Sequence, residues 1–184
     1  MQNKRLYFIR HCKAEGQEPN APLTKEGEES ANRLIAVLKE LEIDYLISSP
    51  FQRAIQTIQP YSDHAGLPIH VHQGLSERIL SEEPLDNWLE QLKKTYEDKD
   101  LTFPGGESSR VAQRRILHVL NEVSDIKDVK NIGIVSHGNI MSLLFHHFDH
   151  TFSFNEWKGM KNPDIFLLEG SNLSRLEIEK VLSN

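Results

Sequence analysis

The run from Ile132 to Ser136 is the sequence feature that most restricts the fold. It reads Ile-Gly-Ile-Val-Ser without a charged residue, which is typical of a strand buried on both faces of a parallel sheet. Two more strand-prone runs, Leu6–Arg10 and Asp44–Ser48, precede it in the chain. Because parallel neighbours require a crossover connection, usually a helix, we expect strands and helices to alternate. The pattern predicts an α/β fold with a mostly parallel sheet flanked by helices.

Apolar residues at helical spacing indicate where the helices lie. Thr24 is expected to cap a helix over residues 25–41, and Ser49 and Pro50 to begin a helix that ends at Ala65, before Gly66. The remaining predicted elements are a strand over 69–72, helices over 85–96, 111–123 and 139–148, and paired strands over 164–169 and 173–179.

Length and composition are those of one globular domain spanning residues 1–184. The net charge of −6 argues against a nucleic-acid-binding protein that relies on bulk charge, although a local basic pocket could still bind a small anion. The single cysteine, Cys12, excludes an intramolecular disulfide. No apolar run approaches membrane-spanning length, and the N-terminal run is too short for a signal peptide, so we expect a cytoplasmic protein without membrane contact. The oligomeric state stays open.

Two histidines follow the two most apolar predicted strands. His11 comes directly after Leu6–Arg10, and His137 directly after Ile132–Ser136. In α/β folds, ligands bind beyond the carboxyl ends of the strands, so both rings are expected at one edge of the sheet. Arg10 flanks the first histidine, and Arg53 lies near the start of the helix after the second strand. Such a cationic cluster in an acidic protein favours binding of a phosphate group.

At these positions the chain resembles the histidine phosphatase superfamily, also called the phosphoglycerate-mutase-like family. Six landmarks of that family occur in order between residues 6 and 144. They are Arg10-His11 after a strand, Leu23-Thr24-x-x-Gly27, Ser48-Ser49 followed by Arg53-Ala54 and Thr57, Leu75-x-Glu77, Pro104-Gly-Gly-Glu-Ser108 and Ser136-His137-Gly138. Each is weak alone, and together they are specific. The resemblance implies a three-layer sandwich.

The resemblance also implies a mechanism and its residues. His11 would attack phosphorus and become phosphohistidine, while Glu77 would act as general acid and then as general base. Arg10, Arg53 and His137 would hold the phosphate oxygens. Further substrate contacts are predicted at Gln17, Thr24, Arg78, Gly138 and Asn139, and residues 78–104 are expected to set specificity. The predicted partner is a small phosphorylated substrate, and neither a metal nor another cofactor is implied.

The sequence departs from the family pattern at three positions. Cys12 replaces the usual glycine after the nucleophile, where a thiol could crowd the pocket or make activity sensitive to oxidation. Asn139 replaces a more common glycine, and Ala14 a more common serine. A phosphatase is the favoured function. A phosphoglycerate mutase-type phosphoryl transferase and a non-catalytic phosphate-binding regulatory module remain as alternatives.

Other phosphoryl-transfer chemistries fit the sequence less well. A cysteine phosphatase needs an arginine six residues after its nucleophile, but Glu18 stands six residues after Cys12. Asp98-Lys-Asp100 matches the aspartyl phosphatase signature but follows a charged helix end instead of an apolar strand. The remaining histidines lack the companions of a tetrahedral metal site, so we interpret them as surface residues.

Overall fold

The computed structural model describes residues 4–170 and 176–182, which form one six-stranded sheet with helices on both faces. The strand order is β3-β2-β4-β1-β5-β6. Strands β1 to β4 are parallel to one another, whereas β5 is antiparallel to β1 and β6 is antiparallel to β5. The strands are β1 (Arg5–Arg10), β2 (Tyr45–Ser48), β3 (Ile69–Val71), β4 (Asn131–Ser136), β5 (Asp164–Glu169) and β6 (Glu177–Leu182). The predicted mostly parallel α/β sheet is confirmed.

Six α-helices accompany the strands in the described part of the chain. They are α1 (Lys25–Glu40), α2 (Gln52–Ala65), α3 (Trp88–Glu97), α4 (Ser109–Asp125), α5 (Gly138–Phe148) and α6 (Phe154–Gly159). A single 3-10 turn, Gln73–Leu75, follows β3. None of these helices combines the length and the apolar character needed to cross a membrane.

Two hydrophobic clusters cover the two faces of the sheet, which gives three layers. On one face Leu6, Phe8 and Ile134 pack with α4 and α5. On the other face Ile9 and Val135 pack with α1 and α2. Alternate residues of β1 and β4 therefore enter opposite clusters, which explains why the two strands are apolar at almost every position.

Most predicted elements are found within one or two residues, but two helix starts are wrong. Ser49 does not cap α2. Its N–H donates to Val135 O, so Ser49 still extends the sheet, and α2 begins only at Gln52. The helix predicted from Leu85 begins at Trp88, because Asn87 has a φ of 53° and cannot belong to a right-handed helix.

The last predicted strand pair is confirmed with a shifted second strand. Strand β5 matches the prediction, and β6 begins at Glu177 instead of residue 173 and continues to Leu182. Residues 173–175 and the predicted turn at residues 171 and 172 lie outside the described residues. The short helix α6 was not predicted.

Candidate active site

A cleft opens at the carboxyl ends of β1, β2 and β4. Arg10 and Ser136 are paired in register at the ends of the neighbouring strands β1 and β4, so His11 and His137 emerge side by side. Their ring centroids are 5.0 Å apart. The cleft has a volume of about 1160 Å³, and its lining includes Arg10, His11, Glu77 and Asn139. The two histidine rings therefore lie at one edge of the sheet, as predicted.

His11 is held in the tautomer that leaves Nε2 unprotonated. Its Nδ1 lies 2.7 Å from the carbonyl oxygen of Cys12, and because a carbonyl only accepts, Nδ1 carries the proton. Nε2 then accepts from the Nε–H of Arg53 at 3.2 Å. Burial lowers the pKa of His11 to about 3, the Arg53 and Arg10 charges act in the same direction, and the Cys12 carbonyl opposes them. The imidazole is therefore neutral and nucleophilic at physiological pH.

Arg53 reaches the nucleophile from the first turn of α2. It is 1% exposed, and its Nη1 donates to the carbonyl oxygens of Gln17 (3.0 Å) and Glu18 (2.8 Å). Its guanidinium also lies 4.8 Å from the centre of the Phe51 ring. These contacts fix the plane of the guanidinium and tie the loop after β1 to α2. The predicted contact residue Gln17 lines the cleft beside this anchor.

Arg10 is fixed between a carbonyl and the start of α5. Its Nη1 donates to Met160 O at 2.6 Å, while its buried Nε has no hydrogen-bond partner among the described residues. A Cβ at Gly138 would lie 3.0 Å from Arg10 Nε and Cζ. Glycine at position 138 therefore leaves room for the guanidinium, which is a structural role beside the predicted one. An unpartnered buried N–H is available to an oxygen of a ligand.

His137 is fully buried and neutral. Its Nε2 lies 2.7 Å from Ser49 Oγ, and its Nδ1 has no partner among the residues described. Burial lowers the pKa of His137 well below its usual value, and the charges of Arg53 and Arg10 add to the effect. Ser49, which was predicted as a helix cap, instead orients this ring.

Glu77 faces the cleft from the loop after the 3-10 turn. Its carboxylate accepts from the N–H groups of Asn139 (3.0 Å) and Ile140 (2.9 Å) at the start of α5, and from the N–H of Arg78 (2.8 Å). A helix N-terminus favours a negative charge at this place. The three donors hold both oxygens in one orientation.

A second ion pair supports the loop that carries Glu77. Arg115 of α4 binds both carboxylate oxygens of Glu107 at 2.9 and 2.8 Å. Its Nη1 also donates to the carbonyl oxygens of Gly74 and Ser76. Ser108, and not Glu107, caps α4, by accepting from Val111 N–H. Glu107 instead contributes to the position of Glu77 through Arg115.

Two predicted substrate contacts have structural roles. Thr24 caps α1 by accepting from Gly27 N–H, and it is not among the residues that line the cleft. Arg78 borders the cleft but is 6% exposed, and its guanidinium donates to Glu107 O and to the hydroxyls of Thr95 and Ser109. Its remaining Nη2 is buried without a hydrogen-bond partner among the described residues.

Cys12 lies on the core side of its strand end. It is fully buried in the cluster shared with α1 and α2, and burial raises the pKa of its thiol to about 11. Its N–H donates to Thr57 Oγ1 at 2.9 Å. The expected crowding of the pocket by the thiol is therefore wrong, because Cys12 does not line the cleft.

Several contributors to the site were not predicted. Asn162 donates from its amide to the carbonyl oxygen of His11 at 2.7 Å. Tyr96 accepts from Asn139 Nδ2 at 2.9 Å and lies 2.5 Å from Ser142 Oγ, which joins α3 to the start of α5. Trp88, which lies within the predicted specificity segment 78–104, lines the cleft. For Tyr96, the only sequence feature that could have indicated its contact is a hydroxyl on an otherwise apolar helix face. No sequence feature indicated the contact of Asn162.

Residues 4–170 and 176–182 contain no group of three or more histidine, cysteine, aspartate or glutamate side chains that could hold a metal ion together. The side chains available to bind a phosphate are instead the positively charged arginines and the neutral histidines. Their arrangement can bind an oxyanion, present an unprotonated imidazole and place a carboxylate beside it.

Comparisons with known proteins agree with this fold. The family model described as "Histidine phosphatase superfamily (branch 1)" matches residues 6–171. Adenosylcobalamin/alpha-ribazole phosphatase of Escherichia coli strain K12 is 25% identical over 156 residues, which is 76% of each protein.

Two solved structures have the same fold. Phosphoglycerate mutase from Bacillus anthracis strain Sterne has a TM-score of 0.81 at 24% identity, covering 98% of this chain and 93% of the mutase. A mycobacterial glucosyl-3-phosphoglycerate phosphatase, solved with inorganic phosphate, has a TM-score of 0.78 at 21% identity, covering 98% and 97%. The similar proteins thus include both phosphatases and a mutase.

Proposed function

The chain belongs to the histidine phosphatase superfamily, and we propose that it is a metal-independent phosphomonoesterase that works through a phosphohistidine on His11. The observation that carries the proposal is the state of His11. Its Nε2 is unprotonated and accepts from Arg53, because the Cys12 carbonyl fixes the proton on Nδ1 and because burial beside two arginines keeps the ring neutral. A neutral imidazole in a cationic pocket is what attack on a phosphate dianion requires.

In the first step, a phosphate oxygen replaces His11 as the acceptor of Arg53 Nε–H. The freed Nε2 lone pair attacks phosphorus, and the bond between phosphorus and the alcohol oxygen breaks. Glu77 enters this step with a proton on its carboxyl group and donates it to the departing alkoxide. Arg10, Arg53 and His137 hold the three non-bridging oxygens, where negative charge must be stabilised in the transition state.

In the second step, water enters where the alcohol left. Glu77, now ionised, takes a proton from this water, and the water oxygen bonds to phosphorus while the bond from phosphorus to His11 Nε2 breaks. Phosphate leaves and the imidazole is neutral again. Splitting one displacement into two replaces a difficult attack by water on the ester with two easier steps.

The proposal is tested by hydrolysis of phenyl phosphate in excess chelator by three proteins: wild type, His11→Ala and His64→Ala. His64 is an exposed histidine on α2 that does not line the cleft, so its substitution controls for loss of a histidine. We expect turnover in the wild type and His64→Ala and none in His11→Ala. Activity that disappears with chelator, or that persists in His11→Ala, contradicts the proposal.

A further inference from the structure

Beyond its phosphate-binding end, the cleft has an apolar wall. We define this wall by Ile79, Leu80, Trp88, Leu89, Leu92 and Trp157. Five large apolar side chains are exposed among the described residues, and two of them, Trp88 (55%) and Ile79 (50%), belong to the wall. Exposed apolar side chains gathered in one concave place are typical of a binding surface.

Helix α3 presents half of the residues of this wall in a fixed position. Leu92 lies one turn after both Trp88 and Leu89, so the three residues form one apolar stripe along the helix. The helix is anchored to the catalytic end by Tyr96, whose hydroxyl contacts Asn139 and Ser142 of α5. Because the same Asn139 donates its N–H to Glu77, the wall and the proposed acid are held by one hydrogen-bond network.

The charges around the cleft leave little to bind a second anion. Outside the phosphate-binding end, its lining includes the cations Lys13 and Lys158 and the anions Glu18 and Glu82, which balance. Lys13 is already in an ion pair with a glutamate of α1 at 2.6 Å. Arg78 also borders the cleft, but its guanidinium is buried: Nε and Nη1 donate to protein acceptors, and Nη2 has no partner among the described residues.

We propose that the leaving group of the substrate is an uncharged alcohol with a large apolar or aromatic part, which packs against Trp88 and its neighbours in the wall. This inference rests on the proposed phosphomonoesterase function and names its substrate class. Burial of the leaving group against exposed apolar side chains lowers the free energy of binding, whereas a carboxylate or second phosphate would lose hydration without gaining a counter-charge. Phosphoglycerates are therefore poor substrates.

The test uses three esters of primary alcohols, so that the chemistry of the leaving group differs little. They are ethyl phosphate, 2-phenylethyl phosphate and 3-phosphoglycerate. We expect kcat/KM for 2-phenylethyl phosphate to exceed that for ethyl phosphate by about tenfold or more, mainly through KM, as follows from the added apolar area. We expect 3-phosphoglycerate to fall below 2-phenylethyl phosphate.

Variants then locate the preference. In Trp88→Ala the ratio of kcat/KM for the phenylethyl ester to that for the ethyl ester should fall about tenfold, and Trp88→Phe should restore most of it. Val111→Ala, which shortens an exposed apolar side chain of α4 away from the cleft, should leave the ratio unchanged.

Equal efficiency on both alkyl esters, a preference for 3-phosphoglycerate, or an unchanged ratio in Trp88→Ala overturns the inference while the phosphatase function stands. Failure to hydrolyse any of these esters or phenyl phosphate overturns both.

Discussion

The buried neutral state of His11 makes the stability of the protein depend on pH in a way that one substitution can isolate. The folded protein holds this imidazole at a pKa of about 3, whereas the unfolded chain has a value near the ordinary 6.5. Below about pH 6.5 the unfolded chain therefore binds a proton that the folded protein does not bind. The free energy of unfolding therefore decreases as the pH falls from about 6.5 towards 3. Above about pH 6.5 this loss is absent.

The size of the effect follows from the two pKa values. At about pH 5 the unfolded histidine is almost fully protonated and the folded one almost fully neutral, which costs about 2 kcal/mol of unfolding free energy relative to about pH 7.5. The His11→Asn variant cannot take up this proton, and its amide can still donate to the Cys12 carbonyl. Its stability should therefore fall by about 2 kcal/mol less than that of the wild type between the two pH values.

Urea unfolding of both proteins at the two pH values measures this difference directly. His137, whose pKa is also lowered, contributes to the loss in both proteins and largely cancels in the comparison. His64→Asn serves as the control, because this histidine is exposed. An equal loss of stability in the wild type and His11→Asn would show that His11 is protonated in the folded protein, which would refute the reasoning about its unprotonated Nε2.

Three further substitutions probe the groups around the nucleophile. Arg53→Lys removes a planar donor that a lysine cannot replace, and steady-state kinetics should show kcat/KM about 100-fold lower with an unchanged circular dichroism spectrum. Glu77→Gln should lower kcat for ethyl phosphate by about 100-fold or more but affect p-nitrophenyl phosphate much less, since the latter's leaving group needs no proton; equal effects on both esters would argue against a general acid. Gly138→Ala places a methyl group 3.0 Å from the Arg10 guanidinium. The free energy of unfolding should therefore fall by about 1–2 kcal/mol, and activity should fall as well. Gly159→Ala, where the added Cβ meets nothing within 4 Å, should change neither the urea midpoint nor turnover.

The strands and the centre of the site could be predicted because both depend on local sequence. A run such as Ile132–Ser136 has few alternatives to a buried parallel strand, and residues directly after such strands must emerge at one sheet edge. His11 and His137 were located in this way. The start of α3 could not be predicted, because Asn87 adopts a left-handed conformation that the apolar spacing from Leu85 does not reveal.

The roles of individual polar residues depended on contacts that are distant in sequence. Arg78 looked like a substrate ligand because it follows Glu77, but its partners Thr95 and Ser109 lie 17 and 31 residues away. Ser49 was predicted as a helix cap because Pro50 follows it, but its side chain contacts His137, which lies 88 residues away. No local pattern contains such pairings, since they arise only when the sheet brings its strand ends together.

Detection of the phosphorylated enzyme tests the central claim most directly. Wild-type protein and Glu77→Gln are mixed with p-nitrophenyl phosphate, quenched in alkali to preserve phosphohistidine, and analysed by intact mass and peptide mapping, with His11→Ala as the control. The account predicts one added phosphoryl group on His11, more abundant in Glu77→Gln because the attack of water is slowed, and none in His11→Ala. Turnover with the phosphoryl group on another residue, or a labelled His11→Ala protein, would contradict it.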